Sequence, residues 1–555
     1  MSGRPAGSGR PAKLVIVDDC CGFSRREFFQ LGSAGARVPA QATSPELGGS
    51  WTAAPSGTDG SGLYVHDLEL VTVTDTRFIL TWHTASGPQP ATPYDPSQLP
   101  AAVVTDGLVR YGTDPSCLDM EVPERSGPTA YHYVEVTGLQ PGTTYYYQAL
   151  SGGVAAAPRL YPRLTFPPGG LNIPSDPADP RLAESIAGLL SSGVVLSASP
   201  GSVTTLVPPP GSLLFTVALC NDVHIGETVS GLATDDFPPG FSQPPGLPPY
   251  PVVMAQSMLA DARARAADVL VVAGDLTAAA LPDQAVASRE LLDGFGPLSR
   301  SGRLNGAGYT VARGNHDQYR SAARLKPAGA TDGLDSVAAV YGLPHGTLTA
   351  TEVGGLRLIG LDTTTGRTAG GAIGDDQLAV LREVLARQPD QPTLVFGHHP
   401  VTDESAFTMV AGPSFGLDRG SAARLEALYA TAPGVFLHHA GHTHRNLRTS
   451  SPVAAGVEFL EVASVKEYPG GFALLRVYQG GYMVNFYKSS GDLARQWSQT
   501  TSAEYLGLYP AYTLGSLTDR NHVVERDFAA LSPLPSRRPV SAALGAGQSD
   551  EVVQV

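Results

Sequence analysis

Two stretches set ligand-type side chains two positions apart: Asp222-Val-His224 and His442-Thr-His444. Three more put such groups beside a glycine: Gly274-Asp275, Gly314-Asn315-His316-Asp317 and Gly397-His398-His399-Pro400. The chain has 13 histidines, and most fall between His224 and His444. A mixed Asp/Asn/His set is donor chemistry for Mn, Fe or Zn, whereas an all-oxygen set would suit Mg or Ca. No cysteine joins it, which argues against a closed structural zinc site. Residues two apart on a strand face the same way, so Asp222 and His224 are expected to bind one ion together, and His442 and His444 to supply two more imidazoles.

Strand ends are what must position these groups. Apolar strand segments are expected at 213–219, 268–273, 309–312, 356–361, 393–396, 434–438 and 457–462, and amphipathic helices at 253–267, 287–298, 336–341, 376–387 and 420–429. Strand–helix alternation predicts an α/β domain over 212–490, with ligands gathered at the carboxyl ends of its strands. A Pro/Gly-rich insertion at 228–250 reads as a functional or mobile loop. Upstream, short alternating runs at 68–73, 78–83, 108–112, 131–136 and 143–148 predict a small β-sandwich over 63–150. Residues 43–62 read as a linker, and 151–211 as a connector with one helical candidate at 180–190. Residues 491–530 are expected to pack on the α/β domain, and 531–555 to be disordered.

The five stretches, in order, resemble the calcineurin-like metallophosphoesterase superfamily, with its D-x-H, G-D, G-N-H-[DE], G-H-x-P and G-H-x-H series. The sequence VEVTGLQPGTTYYYQ resembles the end of a fibronectin type III-like domain, as found ahead of the catalytic domain in purple acid phosphatases. The resemblance implies a four-layer αββα sandwich behind a small all-β sandwich, and a dinuclear metal-dependent phosphoester hydrolase in which a metal-bridging hydroxide attacks phosphorus. One metal would be held by Asp222, His224, Asp275 and His444, the other by Asp275, Asn315, His398 and His442. Asp275 is the shared anion that two neighbouring cations need. His316 would stabilise the phosphoryl oxygens or protonate the leaving group. Asp317 would hold its ring, and His399 would either line the substrate pocket or pack away from the chemistry. Purple acid phosphatases place a tyrosine ligand three residues after the bridging aspartate. Here that position is Ala278, so an iron–tyrosinate centre is not expected. The GHHP and GHTH forms are more similar to the phosphodiesterase branch, which favours a phosphodiesterase over a phosphomonoesterase. A non-catalytic binding protein on the same scaffold is a remote alternative, because the ligand set is intact.

Composition sets the outer bounds. The chain has 555 residues, enough for two or three domains. A net charge of −14 argues against a nucleic-acid-binding face, and the resemblance implies a small phosphoester as the partner. No apolar run is long enough to span a membrane. Ser24-Arg25-Arg26-Glu27-Phe28-Phe29 resembles a twin-arginine export signal over residues 1–42, which implies secretion.

Overall fold

The computed structural model describes residues 57–58, 60, 62–88, 99–162, 164–170, 195–197, 201–231, 240–318, 335–365 and 368–534. The export leader, the helical candidate at 180–190, most of the linker and residues 535–555 lie outside the described residues.

Alternation in the first part gives two antiparallel sheets. One orders Gly57–Thr58, Tyr64–Val73, Arg77–Ala85 and Tyr131–Thr137. The other orders Ser202–Thr204, Thr144–Ser151, Gly107–Gly112 and Met120–Pro123. Leu70, Phe78, Leu80, Val109, Val136 and Tyr147 fill the space between them. The sandwich thus reaches past the expected boundary at 150. Ser202–Thr204 pairs with Thr144–Tyr146, and three residues beside Gly and Pro are too few to show a period. Gly57–Thr58 likewise pairs with Tyr64–Val65, so the expected linker ends in strand.

Two mixed sheets stack in the second part. The first orders Gly308–Ala312, Val269–Ala273, Leu213–Cys220, Gly471–Tyr478, Gly481–Lys488 and Asn521–Glu525. The second orders Ser301–Leu304, Thr349–Val353, Leu356–Leu361, Thr393–Gly397, Val435–Ala440, Glu458–Glu461 and Leu447–Ser450. Val217, Leu219 and Val271 of the first meet Leu358, Leu394 and Leu437 of the second in one core. Outside the first sheet lie helices Tyr250–Ala264 and Pro282–Asp293, through Met254, Met258, Ala285 and Leu292. Outside the second lie Asp375–Arg387 and Arg419–Ala430, through Leu381, Leu385, Ala422 and Leu425. The result is the αββα order, because every helix is apolar along one stripe and every central strand on both faces.

Two expectations for the C-terminal region are revised. Asn521–Glu525 is the edge strand of the first sheet rather than an appended piece. Leu531 and Leu534 belong to the central core, so residues 531–534 are packed. The sandwich docks on this part through buried charge. Glu69 accepts hydrogen bonds from the Lys488 ammonium at 2.5 Å and the Tyr468 hydroxyl at 2.6 Å, and pairs with Arg159 Nε at 2.7 Å. Removing one partner from a buried ion pair leaves the others uncompensated, so Glu69→Ala is expected to lose about 3–5 kcal/mol. A denaturation midpoint equal to wild type would contradict that.

Candidate metal centre

The strands that carry the candidate residues end before the residues themselves. Leu213–Cys220 stops two residues short of Asp222, and Val435–Ala440 stops two short of His442. Asp222 and His224 still come together, 3.6 Å apart, but not by strand alternation, while His442 turns to His398 and His444 to Asp222. Asp222, His224, Asp275, His442 and His444 all adopt left-handed backbone, with φ of +54°, +50°, +52°, +70° and +55°. L-residues enter that region at a cost, and such outliers collect at functional sites. Main-chain bonds hold the turn: Asp222 N–H donates to the Gly274 carbonyl, and Val223 and His224 N–H both donate to that of Asp275.

Glycine is required next to these residues by close approach. A Cβ on Gly314 would lie 2.1 Å from Asp275 Oδ1, and one on Gly441 2.6 Å from Asp222 Oδ2. Gly314→Ala is therefore expected to displace the Asp275 carboxylate, cost about 1–3 kcal/mol by overpacking, and lower bound metal. Full metal content in that variant, measured by elemental analysis, would contradict the reading.

The side chains converge around two carboxylates. Asp275 Oδ2 lies 3.3 Å from His224 Nε2 and 3.1 Å from His398 Nε2, so an imidazole approaches it from either side. Asp275 Oδ1 accepts the His316 N–H at 2.8 Å. Asp222 Oδ1 lies 3.1 Å from His444 Nε2, and its Oδ2 accepts the His442 N–H at 2.9 Å. His442 Nδ1 sits 3.1 Å from His398 Nε2, which in turn is 3.0 Å from Asn315 Oδ1. Donor atoms of Asp222, His224 and His444 fall within 4.8 Å of one another, as do those of Asp275, His398 and His442, and those of His224, Asp275 and His316.

Burial sets the electrostatics. It would raise the carboxyls of Asp222 and Asp275, yet the surrounding imidazoles hold both well below the usual carboxylate range: His444 and His398 for Asp222, His398 and His316 for Asp275. Burial would lower His398 and His444, but Asp275 and Asp222 push the first up to about 9, and Asp222 and Glu467 push the second up to about 9. His442 is held well below the ordinary value by burial and by His399 and His398. A metal needs its imidazoles neutral. In that state two buried carboxylates would lack a counter-charge, a costly arrangement that divalent ions offset. Both ring nitrogens of His224 and the Nδ2 of Asn315 have no hydrogen-bond partner among the described residues, although all are buried. The donor set therefore fits a pair of cations.

One sequence expectation is corrected and one left open is decided. Asp317 does not serve the His316 ring. Its oxygens accept from the N–H groups of Gly314, Leu276 and Thr277 and from the Thr277 hydroxyl, at 2.9–3.0 Å. Asp317 thus ties the third motif to the second, while His316 Nδ1 is held by the Ala278 carbonyl at 2.7 Å. His399 takes the packed one of its two expected places. It is fully buried, with Nδ1 2.7 Å from the Thr363 hydroxyl and Nε2 2.8 Å from the Ala369 carbonyl. Burial and the charge of His398 push its ring down to about 3, so it packs as a neutral group. Sequence reasoning missed Glu227, Lys466 and Glu467, which back the imidazoles. Glu227 stood three residues after His224, but Lys466 and Glu467 follow a strand with no motif to mark them.

Residues 215–446 match the calcineurin-like phosphoesterase family, and residues 65–162 match the purple acid phosphatase N-terminal domain. The first span contains every candidate ligand. No curated protein matches the sequence significantly. Similar solved structures include a dimetal phosphatase from Danio rerio, 14% identical with a TM-score of 0.34, covering 50% of this chain and 98% of that one. A purple acid phosphatase from yellow lupin, Lupinus luteus, is 15% identical with a TM-score of 0.33, covering 77% and 72%. PhoD is 10% identical with a TM-score of 0.32, covering 76% and 85%. The chain therefore carries a calcineurin-like metallophosphoesterase domain, a phosphoester hydrolase by family, behind a domain of the purple acid phosphatase N-terminal kind.

Proposed function

We propose that this chain hydrolyses phosphodiesters at a dinuclear metal centre. Asp222, His224, Asp275 and His444 hold one ion, and Asp275, Asn315, His398 and His442 hold the second. The observation that carries the reading is the placement of Asp275 Oδ2 between His224 and His398, one imidazole from each set. Such an ion pair lowers the pKa of water and offsets phosphoryl charge in an in-line displacement. Mn, Fe and Zn all suit the donors.

The chain's own groups then do the rest. His316 is 8% exposed and the His444 side chain 18%, while Asp222, Asp275 and His398 are closed off, so the site opens past His316 and His444. With Nδ1–H donating to the Ala278 carbonyl, it is Nε2–H of the His316 imidazolium that would give the leaving alkoxide its proton, which leaves the neutral Nδ1–H ring. The Ala278 carbonyl fixes the tautomer, a task that needs no side chain at that position.

Charge favours a diester over a monoester. A monoester end carries an extra negative charge that a basic fork would have to meet. Among the described residues, Arg313 and Arg445, which adjoin the motifs, and Lys466, which stands behind the site, are each paired with carboxylates: Asp335, Glu461, and Glu227 with Glu467. Phosphomonoester hydrolysis on the same site is the second reading. Stripped protein reloaded with Mn, Zn or Fe should hydrolyse bis-nitrophenyl phosphate faster than nitrophenyl phosphate. The reverse order overturns the diester assignment.

The export leader stands as part of the proposal. It is supported by Arg25-Arg26 in its sequence setting, and Arg25→Lys with Arg26→Lys is expected to block secretion by a twin-arginine-competent host. No helix among the described residues is long and apolar enough to cross a membrane.

A further inference from the structure

The two sides of Asp275 differ in what stands behind their imidazoles. His398 and His442 turn their outer nitrogens to main-chain carbonyls: His398 Nδ1 lies 2.8 Å from Ala273 O, and His442 Nε2 2.8 Å from Phe415 O. His224 and His444 turn theirs to carboxylates. His444 Nδ1 lies 2.6 Å from Glu467 Oε1 in a hydrogen bond. His224 Nδ1 lies 2.7 Å from Glu227 Oε2, an ion-pair contact angled away from hydrogen-bond geometry. Lys466 stands between the two carboxylates, 2.6 Å from Glu227 Oε1 and 3.2 Å from Glu467 Oε2. Hydroxyls complete the hold: Ser230 at 2.5 Å and Tyr509 on Glu467, and Tyr250 at 2.7 Å on Glu227. Lys466 and Glu467 are only 5% and 2% exposed, so none of this is a solvated surface network.

We infer that Glu227, Lys466 and Glu467 form a clamp that makes the Asp222–His224–His444 side the tighter of the two cation sites. The inference rests on the dinuclear reading above. A carboxylate behind a ligating imidazole fixes the ring and raises its basicity, and losing it costs about 10–100-fold in metal affinity. A main-chain carbonyl orients the ring but brings no charge. Counting formal charge, Asp222, Glu227 and Glu467 against Lys466 leave one side at −2, whereas Asn315, His398 and His442 leave the other neutral, Asp275 being common to both. Lys466 also joins two loops distant in sequence, one following Leu213–Cys220 and one following Glu458–Glu461. All three are positioning residues, acting through His224 and His444.

The test is a Mn²⁺ titration of the stripped full-length chain, followed by calorimetry and by the electron paramagnetic resonance of the Mn pair. Wild type is expected to bind two ions in resolved steps. Glu467→Gln is expected to weaken the tight step about 10–100-fold and to leave the weak step within about twofold. Glu227→Gln should act in the same direction through its less well aligned contact. A general structural defect would move both steps. Ser230→Ala, which removes one donor from Glu467 without touching a ring, is the milder version and should shift only the tight step. Unchanged affinities, an equal loss at both steps, or loss confined to the weak step would overturn the clamp. Uptake of a single ion by wild type would instead overturn the dinuclear reading. The clamp would then be judged on that one affinity in Glu467→Gln, where a tenfold or greater loss upholds it and no loss removes it.

Discussion

Asp275→Asn is expected to lose both bound metal and turnover, the rate falling on the order of 10³-fold or more. The size follows from what the carboxylate does. It lies close to an imidazole of each set, at 3.3 Å from His224 Nε2 and 3.1 Å from His398 Nε2, whereas Asp222 comes no nearer than 3.9 Å to His398 Nε2. An amide keeps the shape and one oxygen but removes the charge that two neighbouring cations share. Transition-state stabilisation by such ions amounts to several kcal/mol, and each 1.36 kcal/mol is about tenfold in rate. Fold loss is separable from site loss, because Asp275 sits beyond Val269–Ala273 and that strand is fixed by its own ladder to Val217–Cys220 and Gly308–Ala312. Elemental analysis and circular dichroism of the same sample decide: a folded variant that retains two metals and wild-type turnover contradicts the shared-anion role.

His316→Ala is expected to separate chemistry from metal binding. Removing a general acid costs about 10²–10⁴-fold in turnover, and here the metals should stay, since the proposed ligands are other residues. The loss should also depend on the leaving group. A nitrophenolate leaves without help, so its hydrolysis should suffer less than that of an alkyl diester, whose alkoxide needs a proton. Equal losses on both substrates would assign His316 to phosphoryl charge rather than to proton transfer. Wild-type turnover would remove it from the mechanism. If the variant instead lost one metal, His316 would belong with His224 and Asp275, whose donor atoms lie within 4.8 Å of one of its own.

How much of this was legible in the sequence depended on whether a signal was local. Leu356–Leu361 and Ser336–Tyr341 matched their expected spans, since each is a run bounded by turn residues. Ser301–Leu304 and Gly471–Tyr478 had no such mark. The first is a short, mostly exposed strand, and the second a nearly continuous apolar run whose period cannot distinguish strand from helix. The two-residue spacings at Asp222 and His442 pointed to the right side chains for a reason that does not apply here, since left-handed turns and not pleating bring them together. Asp317 misled because sequence adjacency to His316 says nothing about which way a carboxylate turns in a single 3₁₀ turn. Three buried main-chain N–H groups needed an acceptor, and Asp317 was the one within reach. His399 stayed open between pocket and core for a related reason, since a strand end offers one residue to the site and the next to the core. Lys466 and Glu467 were invisible because their role depends on partners more than 200 residues away in sequence, Glu227 and Ser230.

The central claim is that two cations share the Asp275 carboxylate. Anomalous diffraction at the manganese edge, from crystals of the full chain soaked in Mn²⁺, tests it most directly. Two peaks are expected, flanking Asp275, one against Asp222, His224 and His444 and the other against Asn315, His398 and His442. A single peak, or two peaks on the same side of Asp275, would contradict it.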